Sequence, residues 1–383
     1  MNIDEKDYYK IIDHLYLNQL DIDKSFFPKV IGNGQSNPTF LIQDKNAQFK
    51  VLRMQPSGDL VRGAHRVDRE FLVLRALSEK GFIVPEPIFL CDDSSVIGRQ
   101  FYVMEFVDGD IFDDPFVKGK SESDKNNIYK SLAESLGRLH SFNIDDLNLP
   151  FKKNHGFMKR NLSLWYDQIF NETNKPDKDI ERVFRSIILD LPDHGNLSLL
   201  HGDYKLDNVV IDKNNNCLAI LDWELSSFGE PMVDISFQMI NWLIPSGVLY
   251  GIGGDWEKQG VPSASKFLSW YESSYNKDID MPSLRNACIF SLIKLFCILK
   301  GIENRINQGN AFSDDAELKA KAAPAARHLA RRVRVRPARR ALGCPAARLA
   351  RSAPAPCRHL RCRAVATRPC TLARKARPAL IAR

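Results

Sequence analysis

The sequence predicts an α+β chain of two lobes, an N-terminal lobe built on an antiparallel sheet and a mainly helical C-terminal lobe. Three observations predict it. Short β-rich runs, among them Phe49 to Met54 and Phe101 to Phe106, crowd the stretch before residue 108. Apolar residues at helical spacing dominate after Gly109, as in Ile128, Leu132, Leu136 and Leu139. Between Leu200 and Trp223, two apolar runs (Val209 to Ile211 and Leu218 to Leu221) flank the turn cluster Asp212 to Asn216. That pattern is a β-hairpin.

Taken in order, residues 8 to 20 have the apolar spacing of a lead-in helix, with His14 on its surface. Lys29 to Ile31 and Thr39 to Gln43 read as strands around the turn Gly32-Asn33-Gly34-Gln35-Ser36-Asn37. Phe49 to Met54 is the next strand; alternation points Val51 and Arg53 to one face and Lys50 and Leu52 to the other. A helix is expected from about Ala64, with Val67, Phe71, Leu74 and Leu77 on its buried side. Glu70 falls between apolar neighbours there, an expensive place for a carboxylate without a partner. Phe101 to Phe106 is a buried strand, and Asp108-Gly109-Asp110 a hinge leading out of it.

Beyond the hinge, Asp124 is placed to cap a helix that ends near His140, a residue read as structural. Further helices are expected near 162–170 and 178–190, the second ended by Pro192, and another from Gly229-Glu230-Pro231 onward. A strongly apolar helix over 284–302 closes the lobe. Its longest apolar run, Ala287 to Leu299, is interrupted by Lys294 and is short for a bilayer span.

The chemistry concentrates in the hairpin. A hairpin sets the start of its first strand beside the end of its second, which places Asn208 next to Asp222, with Asp203 on the loop before. Such sparse oxygen ligands suit a Mg²⁺ ion that keeps waters and is completed by substrate phosphates. Asp203, five residues before Asn208, has the spacing of a kinase catalytic loop, in which an Asp accepts a hydroxyl proton while an Asn and a later Asp hold metal.

His201-Gly202-Asp203-Tyr204-Lys205-Leu206-Asp207-Asn208, followed by Leu221-Asp222-Trp223-Glu224, resembles the HGDxxxxN and D-W-E motifs of the aminoglycoside phosphotransferase superfamily. The segments IGNGQSNPTFLI, LCDDSSVIGRQFYVMEFVDG and AILDWELSSFGEPMVDIS resemble in particular the phosphotransferase-like domain found fused to acyl-CoA dehydrogenases. The resemblance covers roughly residues 30 to 310 and implies a two-lobed protein-kinase-like fold, ATP and Mg²⁺ as cofactors, and a small hydroxylated acceptor.

It also implies roles. Gly32, Gly34 and Ser36 would approach the nucleotide phosphates. Arg53, standing where the family has lysine, would pair with Glu70 and touch phosphate, with Lys50 as the alternative cation. Glu105 and Val107 would read adenine through their backbone, with Met104 behind the ring. Asp203 would be the base, Asn208 and Asp222 the metal ligands, and Lys205 a cation meeting charge on the transferred group. Asp234 and His201 would brace the loop. Trp223, Glu224, Trp242 and Trp256 are candidates for the acceptor site.

Charge and cysteines divide the chain. Of the 54 Lys and Arg residues, 19 stand beyond Leu318, leaving 35 against all 47 Asp and Glu before it, a net −12. An acidic body argues against a general nucleic-acid partner. The Arg/Ala/Pro-rich tail 319–383 carries every basic excess, follows no metal-ligand cysteine spacing, and is expected to be a disordered or non-native extension rather than a domain. Cys91, Cys217, Cys288 and Cys297 are expected as buried free thiols. No secretory signal is seen at MNIDEKDYYK, so a cytoplasmic protein without a membrane partner is expected. Domains are accordingly expected at 1–108, 109–318 and 319–383. Three rivals remain: a nucleotide-binding pseudokinase, disfavoured because Asp203, Asn208 and Asp222 are all present; a metal-dependent phosphohydrolase, disfavoured because the histidines of the body are scattered; and an RNA-binding protein resting wholly on the tail.

Overall fold

In the computed structural model, residues 3–31, 37–58, 65–170, 178–191 and 195–307 are described. Helix α1 (Glu5–Leu17) starts where Asp4 accepts hydrogen bonds from the amides of Lys6 and Asp7. Its Tyr8, Ile11, Ile12 and Leu15, spaced for one face, are buried. They pack on Phe40, Ile42, Leu52, Met54, Phe101 and Val103, one face of a five-stranded antiparallel sheet. The strands are β1 (Lys29–Val30), β2 (Thr39–Gln43), β3 (Phe49–Met54), β4 (Pro87–Cys91) and β5 (Phe101–Glu105), in the order β1-β2-β3-β5-β4. Helix α2 (Val67–Glu79) covers the other face, where Phe71, Leu74 and Leu77 share a core with Val51, Tyr102 and Met104. Neighbouring residues of β3 thus serve different cores, as alternation requires.

That second core runs on into the helical lobe. Helix α3 (Glu122–Ser141) is capped by Ser121 rather than Asp124. The Ser121 hydroxyl accepts from the Asp124 amide, and the Asp124 carboxylate reaches back to the Ser121 amide, so the acid occupies the third helical position of a capping box. Helices α4 (Phe157–Ile169), α5 (Lys178–Asp190), α6 (Met232–Met239), α7 (Ala264–Tyr275) and α8 (Met281–Asn307) complete the lobe. Glu230 supplies the N-terminal cap of α4, accepting from the amides of Gly156 and Phe157 at 2.8 and 3.2 Å. Pro192 and the tail 319–383 lie outside the described residues.

Residues 281–304 of α8 are, by length and composition alone, enough to cross a bilayer, although Arg285, Lys294, Lys300 and Glu303 lie among them. The expectation of a segment too short to span is corrected. The apolar surface has a partner within the protein, however: Leu284, Cys288, Leu292 and Ile293 are buried, and α8 packs against α4, α5 and α6.

Two small antiparallel pairs lie between the lobes: β6 (Ser198–Leu200) with β9 (Ser227–Gly229), and the hairpin β7 (Val209–Ile211) with β8 (Cys217–Ile220). The hinge is tied to this hairpin. Asp110 and Ile211 exchange backbone hydrogen bonds of 2.8 Å each way, and a Cβ on Gly109 would meet Val210 Cγ1 at 2.6 Å. From the sheet side, the Ile220 amide donates to the Ile83 carbonyl at 2.9 Å. All four body cysteines are buried and free.

Candidate active site

Strand β6 delivers His201, Gly202 and Asp203 into the cleft, and a turn with positive φ at Gly202 (86°) aims the last of them. Only glycine fits, since a Cβ there would lie 2.6 Å from the Leu225 carbonyl oxygen. Asp234, buried near the start of α6, accepts from the amides of His201 and Gly202 at 2.7 and 3.0 Å. The His140 imidazole stands 3.3 Å from the same carboxylate and 2.8 Å from the Tyr271 hydroxyl. Burial alone would push Asp234 up. The bonds from His140 and from the His201 amide outweigh it and hold the carboxyl below the usual range.

A carboxyl depressed in the folded state contributes stability that is complete above its unfolded value, near 4, and fades as pH falls through the folded one. Asp234→Ala is therefore expected to orphan two buried amides and cost about 3 kcal/mol at pH 7. That difference should shrink in denaturant titrations repeated below about pH 4.

His201 links base and hairpin. Its Nε2 lies 2.8 Å from the Leu221 carbonyl oxygen and must donate to it, so Nδ1 is free to accept from the Asp203 amide at 3.2 Å. Both ring nitrogens are thereby committed to backbone, which suits a brace and not an acid–base group.

Asn208 ends a short 3₁₀ turn (Leu206–Asn208) and donates from Nδ2 to the Asp203 carbonyl at 2.9 Å, with the Asp203 carboxylate 3.4 Å away. Its amide oxygen is thereby turned away from Asp203. The Leu221 amide donates to the Asn208 carbonyl at 2.8 Å, so Asp222 follows beside Asn208 at the open end of the hairpin. Asp222 adopts left-handed backbone (φ 66°), bending its side chain back toward the cleft. Among the described residues no group of three or more His, Cys, Asp and Glu side chains is placed to hold a metal on its own. An Asn–Asp pair of hard oxygens that leaves most positions to water and phosphate fits Mg²⁺ better than it fits a closed site.

Arg53 on β3 reaches across from the sheet. Its Nε donates to Glu70 at 2.9 Å, Nη1 to Thr39 Oγ1 at 3.2 Å and Nη2 to Asp222 at 2.6 Å. Burial works against the charge, but Glu70 and Asp222 hold the guanidinium above its ordinary value. Lys50 points to the other side, 3.9 Å from Asp44, and takes no part. The lysine-to-arginine departure has a visible result: a planar fork serves Glu70 and Asp222 at once, where an ammonium would be a point charge. Buried Asn37 adds a second tie between lobes, donating to Glu224 at 3.3 Å. Glu105 ends β5 with its amide bonded to the Glu86 carbonyl, and Val107 follows at the hinge. Gly32, Gly34 and Ser36 lie outside the described residues.

Coupling between Arg53 and Glu70 is expected to be strong. Glu70→Ala should raise the nucleotide KM by more than its stability loss explains, and a double-mutant cycle with Arg53→Ala on kcat/KM should be non-additive. Strict additivity would remove the pair from function.

Lys205 sits between two carboxylates, 3.3 Å from Asp203 and 3.2 Å from Asp207, and over the ring of Tyr250. The Tyr250 hydroxyl donates to Asp207 at 2.9 Å. Burial opposes the Lys205 charge, but Asp203 and Asp207 hold it above the usual lysine value. Asp203 itself is pushed above the usual carboxylate range by burial, against the pull of Lys205. Sequence reasoning missed Asp207 and Tyr250; the latter stands 43 residues downstream in a loop with no periodicity to mark it. It also misjudged two tryptophans. Trp223 and Trp242 are buried, with indole N–H groups bonded to the carbonyls of Ile220 and Pro262, so both are core and not acceptor lining. Trp256 is half-buried against the same core.

Residues 28–255 match the model of the phosphotransferase enzyme family. A rat (Rattus norvegicus) protein, acyl-CoA dehydrogenase family member 11, is 38% identical over 293 residues, which cover 75% of this chain and 38% of that protein. The chain thus aligns with well under half the length of this relative. Among solved structures, a candidate aminoglycoside phosphotransferase from Ralstonia eutropha superposes with a TM-score of 0.73 at 29% identity, covering 85% of this chain and 98% of its own. An amicoumacin kinase solved with AMP-PNP and Ca²⁺ superposes with a TM-score of 0.54 at 14% identity, over 86% and 96% of the two chains, a likeness of fold alone.

Proposed function

The chain belongs to the phosphotransferase enzyme family, and from that premise we propose that it transfers the γ-phosphoryl group of ATP, with Mg²⁺, to a hydroxyl of a small molecule. The observation that carries this reading is the convergence of Asp203, Asn208 and Asp222 at one end of the hairpin, with Arg53 joining Asp222 to Glu70. Asp203 takes the hydroxyl proton and aims the oxygen; its amide is fixed by His201 and its carboxylate stands beside Lys205. Lys205 is placed to leave Asp207 and neutralise charge on the group in transfer. Arg53 exchanges its Asp222 partner for phosphate oxygen while keeping Glu70. Asn208 and Asp222 would hold Mg²⁺, which when bound shields the phosphates from mutual repulsion.

The glycine loop at 32–36 would cover the phosphates, and the Glu105 carbonyl and Val107 amide would read adenine. We assign residues 1–108 to the nucleotide side, 109–318 to the acceptor side, and leave 319–383 outside the catalytic body. A cytoplasmic setting accords with this chemistry. For the acceptor, the relative named for acyl-CoA dehydrogenation supports a hydroxyacyl thioester or hydroxy acid. The test is ATP consumption against a panel of hydroxy acids, hydroxyacyl thioesters, amino alcohols and aminoglycosides, with Asp203→Asn as blank. No acceptor-dependent turnover above that blank across the panel would count against the reading.

A further inference from the structure

The apolar middle of helix α8, Ala287 to Leu299, is interrupted by one charged residue, Lys294, which meets the catalytic loop. An ammonium among buried Leu292, Ile293, Phe296 and Cys297 is costly unless something specific is gained there. Its surroundings identify the gain. Nζ donates to the Gly202 carbonyl at 2.8 Å and lies 5.0 Å from the centre of the Phe237 ring. Burial lowers the lysine's proton affinity, while Asp203 and Asp234 raise it.

The Gly202 carbonyl belongs to the peptide unit that carries Asp203. The amide of that unit is held by His201 Nδ1 at 3.2 Å, and the preceding amide, of Gly202 itself, by Asp234 at 3.0 Å. Lys294 supplies the remaining contact, on the carbonyl. With it, the peptide plane has a partner on each side, His201 on its amide and Lys294 on its carbonyl. Asp234 and Lys294 therefore act as an anion and a cation on opposite polar groups of one turn, and the cation comes from an element 92 residues away in sequence.

We propose that Lys294 is a positioning residue for phosphoryl transfer, fixing through the Gly202 carbonyl the peptide plane that aims the Asp203 carboxylate. The proposal rests on the phosphotransferase reading above. It separates aiming from stability. Methionine is nearly as long as lysine and suits an apolar helix; it relieves the cost of a desolvated charge but leaves the Gly202 carbonyl without its donor, so its effect on folding is the balance of the two. A misplaced catalytic group, by contrast, costs on the order of 100-fold for about 1 Å.

The experiment compares full-length wild type with Lys294→Met and Lys294→Arg in kcat, Mg-ATP affinity by calorimetry, and thermal midpoint. Lys294→Met is expected to stay folded at the assay temperature and bind Mg-ATP within about twofold of wild type while kcat per folded molecule falls about 10- to 100-fold. Lys294→Arg, which still donates to the carbonyl, is expected to recover most of that loss. The proposal is overturned if Lys294→Met fails to fold or melts early with normal turnover per folded molecule, which would make the lysine purely structural. It is equally overturned if kcat stays within threefold of wild type, if arginine is no better than methionine, or if nucleotide affinity falls in step with kcat. A wild type that phosphorylates nothing would instead sink the functional reading on which the comparison stands.

Discussion

Asp203→Asn is expected to retain the fold and the affinity for Mg-ATP while kcat falls by about 10³- to 10⁴-fold. The substitution is nearly isosteric, so the turn held by Asp234, His201 and Lys294 keeps its shape. An amide cannot take the hydroxyl proton, and the nearby carboxylates are poorly placed to substitute. Asp207 keeps the Tyr250 hydroxyl when Lys205 leaves it, and Asp222 is taken up with Mg²⁺ in the proposed site. Steady-state turnover and calorimetry on one preparation decide the matter. Turnover within tenfold of wild type would remove Asp203 from the role of base.

Asp222→Ala is expected to abolish the Mg²⁺-dependent part of nucleotide binding. Asn208 is a neutral ligand, and the carboxylate that remains beside it, Asp203, is paired with Lys205 and kept for the acceptor hydroxyl in the proposed site. Arg53 keeps Glu70 and Thr39 when Asp222 is lost, so the lobe contact weakens without leaving a buried charge unpaired. Stability should therefore change by about 1 kcal/mol, while ATP affinity becomes insensitive to chelation of divalent ions. Unchanged Mg-ATP affinity in the variant would place the metal elsewhere.

Both predictions rest on residues that local pattern alone brings together. The hairpin was legible because apolar runs around an Asp/Asn-rich turn leave one pairing, and that pairing fixes Asn208 beside Asp222. That Glu70 needs a cation was legible from cost, since it lies on the buried side of α2, but Arg53 as that cation came from the family resemblance, with Lys50 as the alternative. Less visible were contacts set by loops without a period. Tyr250 reaches Asp207 from such a loop, and Ser121 outranks Asp124 as a cap only because the two side chains bond reciprocally. The tryptophans misled for a related reason: an indole at a loop position is large enough to be core or pocket, and only neighbours such as Phe82 and His201 around Trp223 settle which.

The sequence by itself determined four of the five sheet strands, helix α2, and the order of acid, amide and acid in the hairpin, because these follow from local period and spacing; Pro87–Cys91 was not legible as the fifth strand. Tertiary structure alone decided the partners of charge. It placed Asp222 on Arg53, His140 behind Asp234, and Lys294 under the Gly202 carbonyl. The physical reason is that hydrogen bonds and ion pairs between distant segments are chosen by the packing of whole elements. A half-buried lysine in the apolar middle of a helix announces that it needs a partner, but a separation of 92 residues gives no sign of which carbonyl it will find.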